Sequence, residues 1–590
     1  MRFLFGFGVA TVFAMSLAFA KKIDSFNHSN LYYFNGIYVL DLHGTREDMM
    51  RAHGYFAGKN VKSHSPLQFF SEVMDKTLQE KMNTVGARVV SQTLDVLLKM
   101  KMSSEDERAY KAFAQGMGVS SQQVFKALYY PDFGEMLAAI NYSKNKTFMD
   151  IPELGCSTFI VPQSSQNSGM IFGRNLEFGG VGLFDRYPAI IYLHPTDVKD
   201  QPYIQLTALG VPGTHTAYNQ SGIMISLHQL TANQMRPTGD LILNVVDEVA
   251  RRAKTLAEAK QLIESKKFTT PWKIMVASEK ENSGFVVDVS PRGEFFVDMA
   301  AHGIGETNHT HAAELKKDEF FSSYNYIHSS VMRRTLMQNT LKNNSVTDVE
   351  SAIKLLTSRQ DSDGNLRLFS VNKFSNIMSV VMSAKEHKLH FAVARQINTK
   401  PLSGAFVEFP LSFNFDFSKF QPLVVLPPAV DPAMLAMDNE IRAAMTESSQ
   451  GADLNVVVNH LGKAVGYYGN DANLNNVYAA TLIKLYSITD GKSDHLLNEA
   501  QMVLNRTKSI THLGNEAAVQ SLLLARIAVL KSNHNEAGEI YKMVVPTTSR
   551  MKEALAADMK ALKSETARKT ILERSKKLKV TLSDMDIIDF

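Results

Sequence analysis

The order of apolar and polar positions changes character twice along the chain. Residues 21–155 read as mainly helical after one short strand at 37–42. Pro66 stands just inside a helix start after Ser65, and Ser104-Glu105-Asp106-Glu107 has the form of a capping box before Tyr110, Phe113 and Met117 recur at helical spacing. From Cys156 the period falls to two. Short apolar runs at 157–161, 170–172, 189–193 and 223–227, separated by Gly, Pro, Asn and Ser, predict a meandering sheet. Helices follow at 241–254 and after a Thr255 cap with Glu258 three residues on, then strands at 273–276, 284–289 and 294–299. Two more helices are expected at 329–341 and 346–358, and a hairpin at 377–382 and 389–394. Strands, then helices, then strands predict an α+β layered domain and not a doubly wound parallel sheet.

Past a Pro-rich stretch at 422–432, which includes Pro427 and Pro428, the pattern turns helical and stays so. Apolar runs at 482–486 and 522–526 each precede a polar turn and a second helix, which leaves a tetratricopeptide-like repeat and an ordinary helical domain both open. The Lys-rich stretch 551–579 reads as a solvated helix face. The expected division is therefore a leading helical segment at 21–155, an α+β domain at 156–421, a linker at 422–432 and a helical domain at 433–590.

Composition adds three constraints. The first twenty residues combine Arg2, an apolar run and Ala18-Phe19-Ala20, the form of a secretory signal peptide. The run is short for a bilayer span, so no stable membrane anchor is expected and the mature protein should be periplasmic or secreted. A net charge of +4 over 590 residues gives no bulk reason to bind nucleic acid. One Cys excludes an internal disulfide in an exported protein, so the thiol needs another explanation.

A nucleophilic Cys attacks as thiolate and needs a base. At a new N-terminus its own α-amino group, with a pKa near ~8, can take the proton. Gly155-Cys156 fits that scheme, because Gly admits strained backbone geometry and the switch from helices to strands falls at this bond.

The runs Gly155-Cys156-Ser157-Thr158 and Gly173-Arg174-Asn175-Leu176-Glu177-Phe178 resemble the paired signature of the linear-amide N-terminal-nucleophile hydrolases, which include choloylglycine hydrolase, penicillin V acylase and the acyl-coenzyme A:isopenicillin N acyltransferase type. Asn219-Gln220-Ser221-Gly222-Ile223, Thr307-Asn308-His309 and Ser329-Ser330-Val331-Met332-Arg333 extend the likeness. Upstream, His43-Gly44-Thr45 and His53-Gly54 are similar to the opening of the acyltransferase type.

The resemblance implies an αββα sandwich and a set of roles. Cys156 would cut the Gly155-Cys156 bond and then carry the acyl group as a thioester. Arg174 would hold the thiolate, and Glu177, where the family usually has Asp, would orient the new ammonium. Asn308 would donate to the oxyanion and Arg333 would tie the site together. Asn219 is counted among the catalytic residues, and the strand after it would supply a second oxyanion donor, either His228 or Gln229. No cofactor is implied, and the expected partner is a small acyl-amide substrate such as an N-acyl amino acid or a penicillin-like amide. The leading segment would either stay bound after cleavage or be removed.

Competing sites carry less. His302, His309 and His311, near Glu306 and Glu314, offer a His-x-His pair for zinc, but the spacing matches no helix-face pair and no metal is assigned. The local signature of a papain-like Cys-His pair is absent. If the protein is eukaryotic, the sequon Asn308-His309-Thr310 would conflict with Asn308 as a catalytic donor. The alternative reading is an inactive exported protein that binds a protein partner through its C-terminal helices.

Overall fold

The computed structural model describes residues 21–61, 65–81, 102–145, 154–167, 169–178, 184–236, 238–320, 324–364, 367–392, 405–425, 431–449, 451–509, 512, 515–547, 549–580 and 588–589. The proposed signal peptide, Pro427 and Pro428 lie outside them.

Among the described residues, ten strands form one sheet in the order β1 (Lys21–Phe26), β2 (Ser29–Phe34), β3 (Ile37–Gly44), β6 (Pro188–Pro195), β7 (Tyr203–Ala208), β8 (Thr216–Asn219), β9 (Ile223–Gln229), β10 (Trp272–Ser278), β11 (Ser283–Ser290) and β12 (Gly293–Asp298). Seven strands form a second sheet in the order β13 (Ile304–Glu306), β4 (Leu154–Val161), β5 (Ile171–Phe178), β14 (Asn376–Ser383), β15 (Lys388–Ala392), β16 (Phe406–Pro410) and β17 (Val424–Val425). β3 and β6 run parallel.

Strand alternation explains the layering. On β6, Ala189, Ile191 and Leu193 face a core shared with helices, while Ile190 and Tyr192 face the core between the sheets. On β14, Met378, Val380 and Met382 join the inter-sheet core and Val381 packs on the opposite side. The helices Arg46–Asn60, Ser104–Met117, Ser121–Asn145 and Ile242–Arg252 cover the ten-stranded sheet, and Tyr324–Lys342 and Val349–Leu356 cover the other. The fold is an α+β αββα sandwich with a C-terminal helical region.

Several expectations are corrected. The leading segment holds three strands where one was expected. β1 is an exposed edge strand without apolar alternation, held by its ladder to β2, so periodicity gives no sign of it. Because β1–β3 complete the ten-stranded sheet, residue 155 marks a change in element type and not a boundary between separate bodies. The cap of the helix Ser104–Met117 is Ser103, whose side chain accepts from the Asp106 N–H. β17 falls inside the expected linker, and Pro432 already begins the helix Pro432–Ser449.

The His53-Gly54 pair has a packing reason. A Cβ at Gly54 would lie 2.1 Å from the Phe113 carbonyl oxygen, so Gly lets the helices Arg46–Asn60 and Ser104–Met117 touch backbone to backbone. Burial holds the His53 imidazole down to about 3, and the neutral ring accepts from the Gly210 N–H at 3.3 Å.

The C-terminal region stacks paired helices, including Ala472–Ile488 with Asp494–Arg506 and Glu516–Leu530 with His534–Met543. It is not entirely helical, since Lys579–Val580 pairs with Ile588–Asp589. Its core takes in Leu368, Phe369 and Phe374 from the sandwich side. Buried ion pairs Arg359–Asp438 and Arg442–Asp185 cross the same junction. None of the described helices is long and apolar enough to cross a membrane.

Candidate active site at the start of strand β4

The register of β4 on β5 sets the site. Cys156 lies opposite Leu176 and Thr158 opposite Arg174, so even-numbered side chains, Cys156 and Arg174 among them, share the inner face. Odd-numbered residues Ser157, Asn175 and Glu177 face the other way. Arg333, on the helix Tyr324–Lys342, reaches the strand from that outer side. Its Nη1 donates to the Cys156 carbonyl and to Ser157 Oγ, both at 2.7 Å, and its Nη2 donates to Asn308 Oδ1 at 3.0 Å.

The Cys156 sulfur is buried but not isolated. Arg174 Nη2 lies 3.3 Å from Sγ, and the same guanidinium donates to the carbonyls of Leu227 at 2.6 Å and His215 at 2.8 Å. Burial pushes the thiol up to about 11; Arg174 pulls it down, and the Glu177 carboxylate pushes it further up. The thiol form is therefore at rest, and the guanidinium is placed to favour the thiolate when it forms.

Asn308 meets the same residue from its backbone side. Its Oδ1 accepts from the Cys156 N–H at 2.8 Å, and its Nδ2 donates to the Gln229 carbonyl at 3.3 Å. In this continuous chain the amide group holds the Cys156 nitrogen, and its N–H goes to a backbone carbonyl. Asn308 is fully buried, which leaves no room for a glycan.

Gly155 sits opposite Glu177 in an extended strand, and it is not among the positive-φ residues. The reason for glycine is space and not strain: a Cβ there would lie 2.7 Å from Glu177 Oε2. Glu177 is buried against the peptide that would be cut, 3.7 Å from Arg333 Nη1.

A narrow, largely apolar cavity of about 50 Å³ opens onto Cys156 and Arg174. Leu67, Phe70, Leu128 and Tyr130 of the leading segment line it together with Phe184, Val211, Leu243 and Trp272. Of the two open candidates, Gln229 lines this cavity. His228 turns between the sheets with Nε2 3.5 Å from Ser226 Oγ, held neutral by burial. Asn219 is not brought to the sulfur. Its Nδ2 donates to the carbonyls of Ala250 and Ala253, ending the helix Ile242–Arg252, and its Oδ1 accepts from the N–H groups of Ser221 and Ile223. That is a turn-and-cap role.

The sequence reading missed Glu135. It stands behind Gln229, whose Nε2 donates to its Oε1. Burial pushes its carboxyl up to about 8. Two acids, Asp132 and Glu135, inside the otherwise mostly apolar stretch 128–139 were the available signal. The His-x-His pair does not converge: His311 Nε2 lies 2.7 Å from Glu306 Oε2, while His309 Nδ1 lies 2.8 Å from Ser330 Oγ.

Residues 165–398 match the family described as acyl-coenzyme A:6-aminopenicillanic acid acyl-transferase. The match begins nine residues beyond Cys156 (165 − 156) and takes in Arg174, Glu177, Gln229, Asn308 and Arg333. No curated protein matches the chain. Among solved structures, the chain is similar to a Caenorhabditis elegans N-acylethanolamine-hydrolyzing acid amidase ortholog, at 19% identity and TM-score 0.29, covering 38% of this chain and 92% of that one. It is also similar to a mutant conjugated bile acid hydrolase from Clostridium perfringens, at 9% identity and TM-score 0.29, covering 47% and 99%. Over residues 165–398, then, the chain is similar to the family described as acyl-coenzyme A:6-aminopenicillanic acid acyl-transferase.

Proposed function

We propose that this protein is an exported, self-cleaving cysteine amidohydrolase or acyltransferase whose nucleophile is Cys156. The observation that carries the reading is the double hold on that residue: Asn308 Oδ1 at its nitrogen and the Arg174 guanidinium at its sulfur, at the floor of an apolar cavity.

In the first step the thiol attacks the Gly155 carbonyl. The C–N bond breaks as the thioester forms, and the thiol proton ends on the freed nitrogen, which becomes an α-amino group. Water then hydrolyses the thioester and restores the thiol. In turnover, the α-amino group takes the thiol proton as Sγ attacks a substrate amide, and the leaving amine receives it. Water or a second amine removes the acyl group. Gln229 is the candidate second donor to the oxyanion, since it lines the cavity.

The apolar lining favours an amide whose acyl part is apolar, such as an N-acyl amino acid. Because residues 21–155 supply three strands of one sheet and part of the cavity lining, we expect them to stay bound after cleavage.

Intact-mass and N-terminal analysis of the purified protein tests the proposal. A new N-terminus at Cys156, abolished by Cys156→Ala, is expected. An intact wild-type chain that turns over no N-acyl amide would overturn it and favour the scaffold alternative.

A further inference from the structure

Three side chains far from Cys156 converge without a role in the chemistry above. Asp41 and His43 lie two residues apart on β3 and so share a face. The parallel register sets His43 directly beside His194 on β6, with Asp41 beside Tyr192. The two imidazoles stack, their centroids 4.2 Å apart and their planes within 5°. Nε2 of His43 lies 2.9 Å, and Nε2 of His194 3.1 Å, from the same Oδ1 of Asp41. The three donor atoms all fall within 4.8 Å of one another.

We propose that Asp41, His43 and His194 form a binding site for a divalent transition-metal ion of the zinc and cobalt class. Two imidazole nitrogens and one carboxylate oxygen are a donor set that suits zinc, with a fourth position left to water; calcium and magnesium prefer oxygen alone. Neighbouring ligands around tetrahedral zinc stand about 3.3 Å apart, so the two His–Asp separations need to open by only a few tenths of an ångström, while the stacked imidazoles would have to tilt toward a shared ion. With the metal bound, each imidazole would coordinate through Nε2 and carry its proton on Nδ1. The ligands stand on two hydrogen-bonded strands, and the His194 ring is edged by Phe413 at 6.3 Å. The His43 side chain is 40% exposed, which gives an ion a way in.

The site lies at the other end of the sheet from the nucleophile. Leu193 pairs with Tyr203 and Tyr203 with Asn219, whereas Cys156 faces the Leu227 carbonyl near the opposite end of β9. Its ligands come from both sides of the Gly155-Cys156 bond: Asp41 and His43 precede it and His194 follows it. If that bond is cut as proposed above, the metal ties the two pieces together, a task that a chain with one Cys cannot give to a disulfide.

The test uses the full-length Cys156→Ala protein, stripped with a chelator and titrated with Co²⁺ and then Zn²⁺. This background removes the thiol as a competing ligand and makes binding independent of self-cleavage. One equivalent of Co²⁺, with the visible absorption of a low-coordinate site and displaced by Zn²⁺, is expected. His43→Ala, His194→Ala and the isosteric Asp41→Asn should each weaken binding by about 100-fold or more, beyond the 10–100-fold cost of losing an outer-shell partner. No stoichiometric uptake, or uptake unchanged in all three folded variants, would overturn the site. For the tie, Zn²⁺ should raise the Tm of the cleaved wild-type protein and leave that of cleaved His194→Ala unchanged; equal responses would overturn it. A Cys156→Ala chain that is still cut would count against the catalytic reading alone.

Discussion

Asn308 Oδ1 lies 2.8 Å from the backbone nitrogen of Cys156, and the same oxygen accepts from Arg333 at 3.0 Å. A single amide thus fixes the nitrogen that would become the catalytic amine before it is released. Replacing Asn308 by Ala leaves a buried N–H and a guanidinium donor without this acceptor, which costs about 1–3 kcal/mol. We expect the appearance of a Cys156 N-terminus to slow by about 10–100-fold, read by intact mass over time. Unchanged kinetics would remove Asn308 from the mechanism.

Arg174 acts on the sulfur. Because the guanidinium opposes the upward push of burial on the thiol, Arg174→Ala should raise the thiol further above about 11. The thiolate fraction at pH 8 then falls. Alkylation of Cys156 by iodoacetamide should slow by at least about tenfold, with its pH profile moved to higher pH. Arg174→Lys should behave nearly as badly, since a compact ammonium lacks the two separated nitrogens by which the guanidinium reaches the His215 carbonyl on one side and Sγ and the Leu227 carbonyl on the other.

Gly155→Ala pushes a methyl group to within 2.7 Å of Glu177 Oε2. Self-cleavage should fall sharply in this variant. Glu177→Asp withdraws the carboxylate, so the double variant should recover part of the loss. If Gly155→Ala cleaves normally, the contact between these two residues has no part in processing.

Glu135 gives a pH signature. Its folded value of about 8 is above the unfolded value of 4.5, so the folded chain holds the proton more tightly. The stability this contributes is fully present below pH 4.5 and is lost as pH rises to about 8, a change of a few kcal/mol. Urea unfolding from pH 5 to 8.5 should show this slope, and Glu135→Gln should flatten it. Equal slopes in both proteins would place Glu135 in contact with water.

The junction with the helical region is testable through Arg442. This guanidinium is buried with Asp185 and also donates to the Phe374 carbonyl at 2.8 Å. Arg442→Ala takes a buried cation away from a buried carboxylate and should cost about 3–5 kcal/mol by denaturant melts. Truncation at Pro432 also uncovers Leu368, Phe369 and Phe374, so an insoluble or inactive product is expected.

Local pattern alone made part of this protein legible. Period-two runs located the strands around 157–161, 189–193 and 223–227, the Thr255 and Glu258 spacing marked a helix start that the structure retains, and the lone Cys after Gly155 singled out one bond. Each of these signals lies within a few residues of what it specifies. Residues paired across long separations were another matter. That Arg174 stands on the inner face and Glu177 on the outer follows from strand parity, but which partners meet them depends on a helix 156 positions further on (333 − 177). Asn219 and Asn308 have the same side-chain chemistry, and only the packing of the sheets sends one to a helix end and the other to Cys156. Residues 21–155 read as a separate helical segment because β1 carries no apolar rhythm. What makes them part of the sheet is the parallel ladder that sets Leu42 beside Leu193, 151 positions later (193 − 42). Backbone N–H and C=O groups are the same at every residue, so the choice of partner strand rests with the packing of the whole domain and leaves no mark in the local pattern.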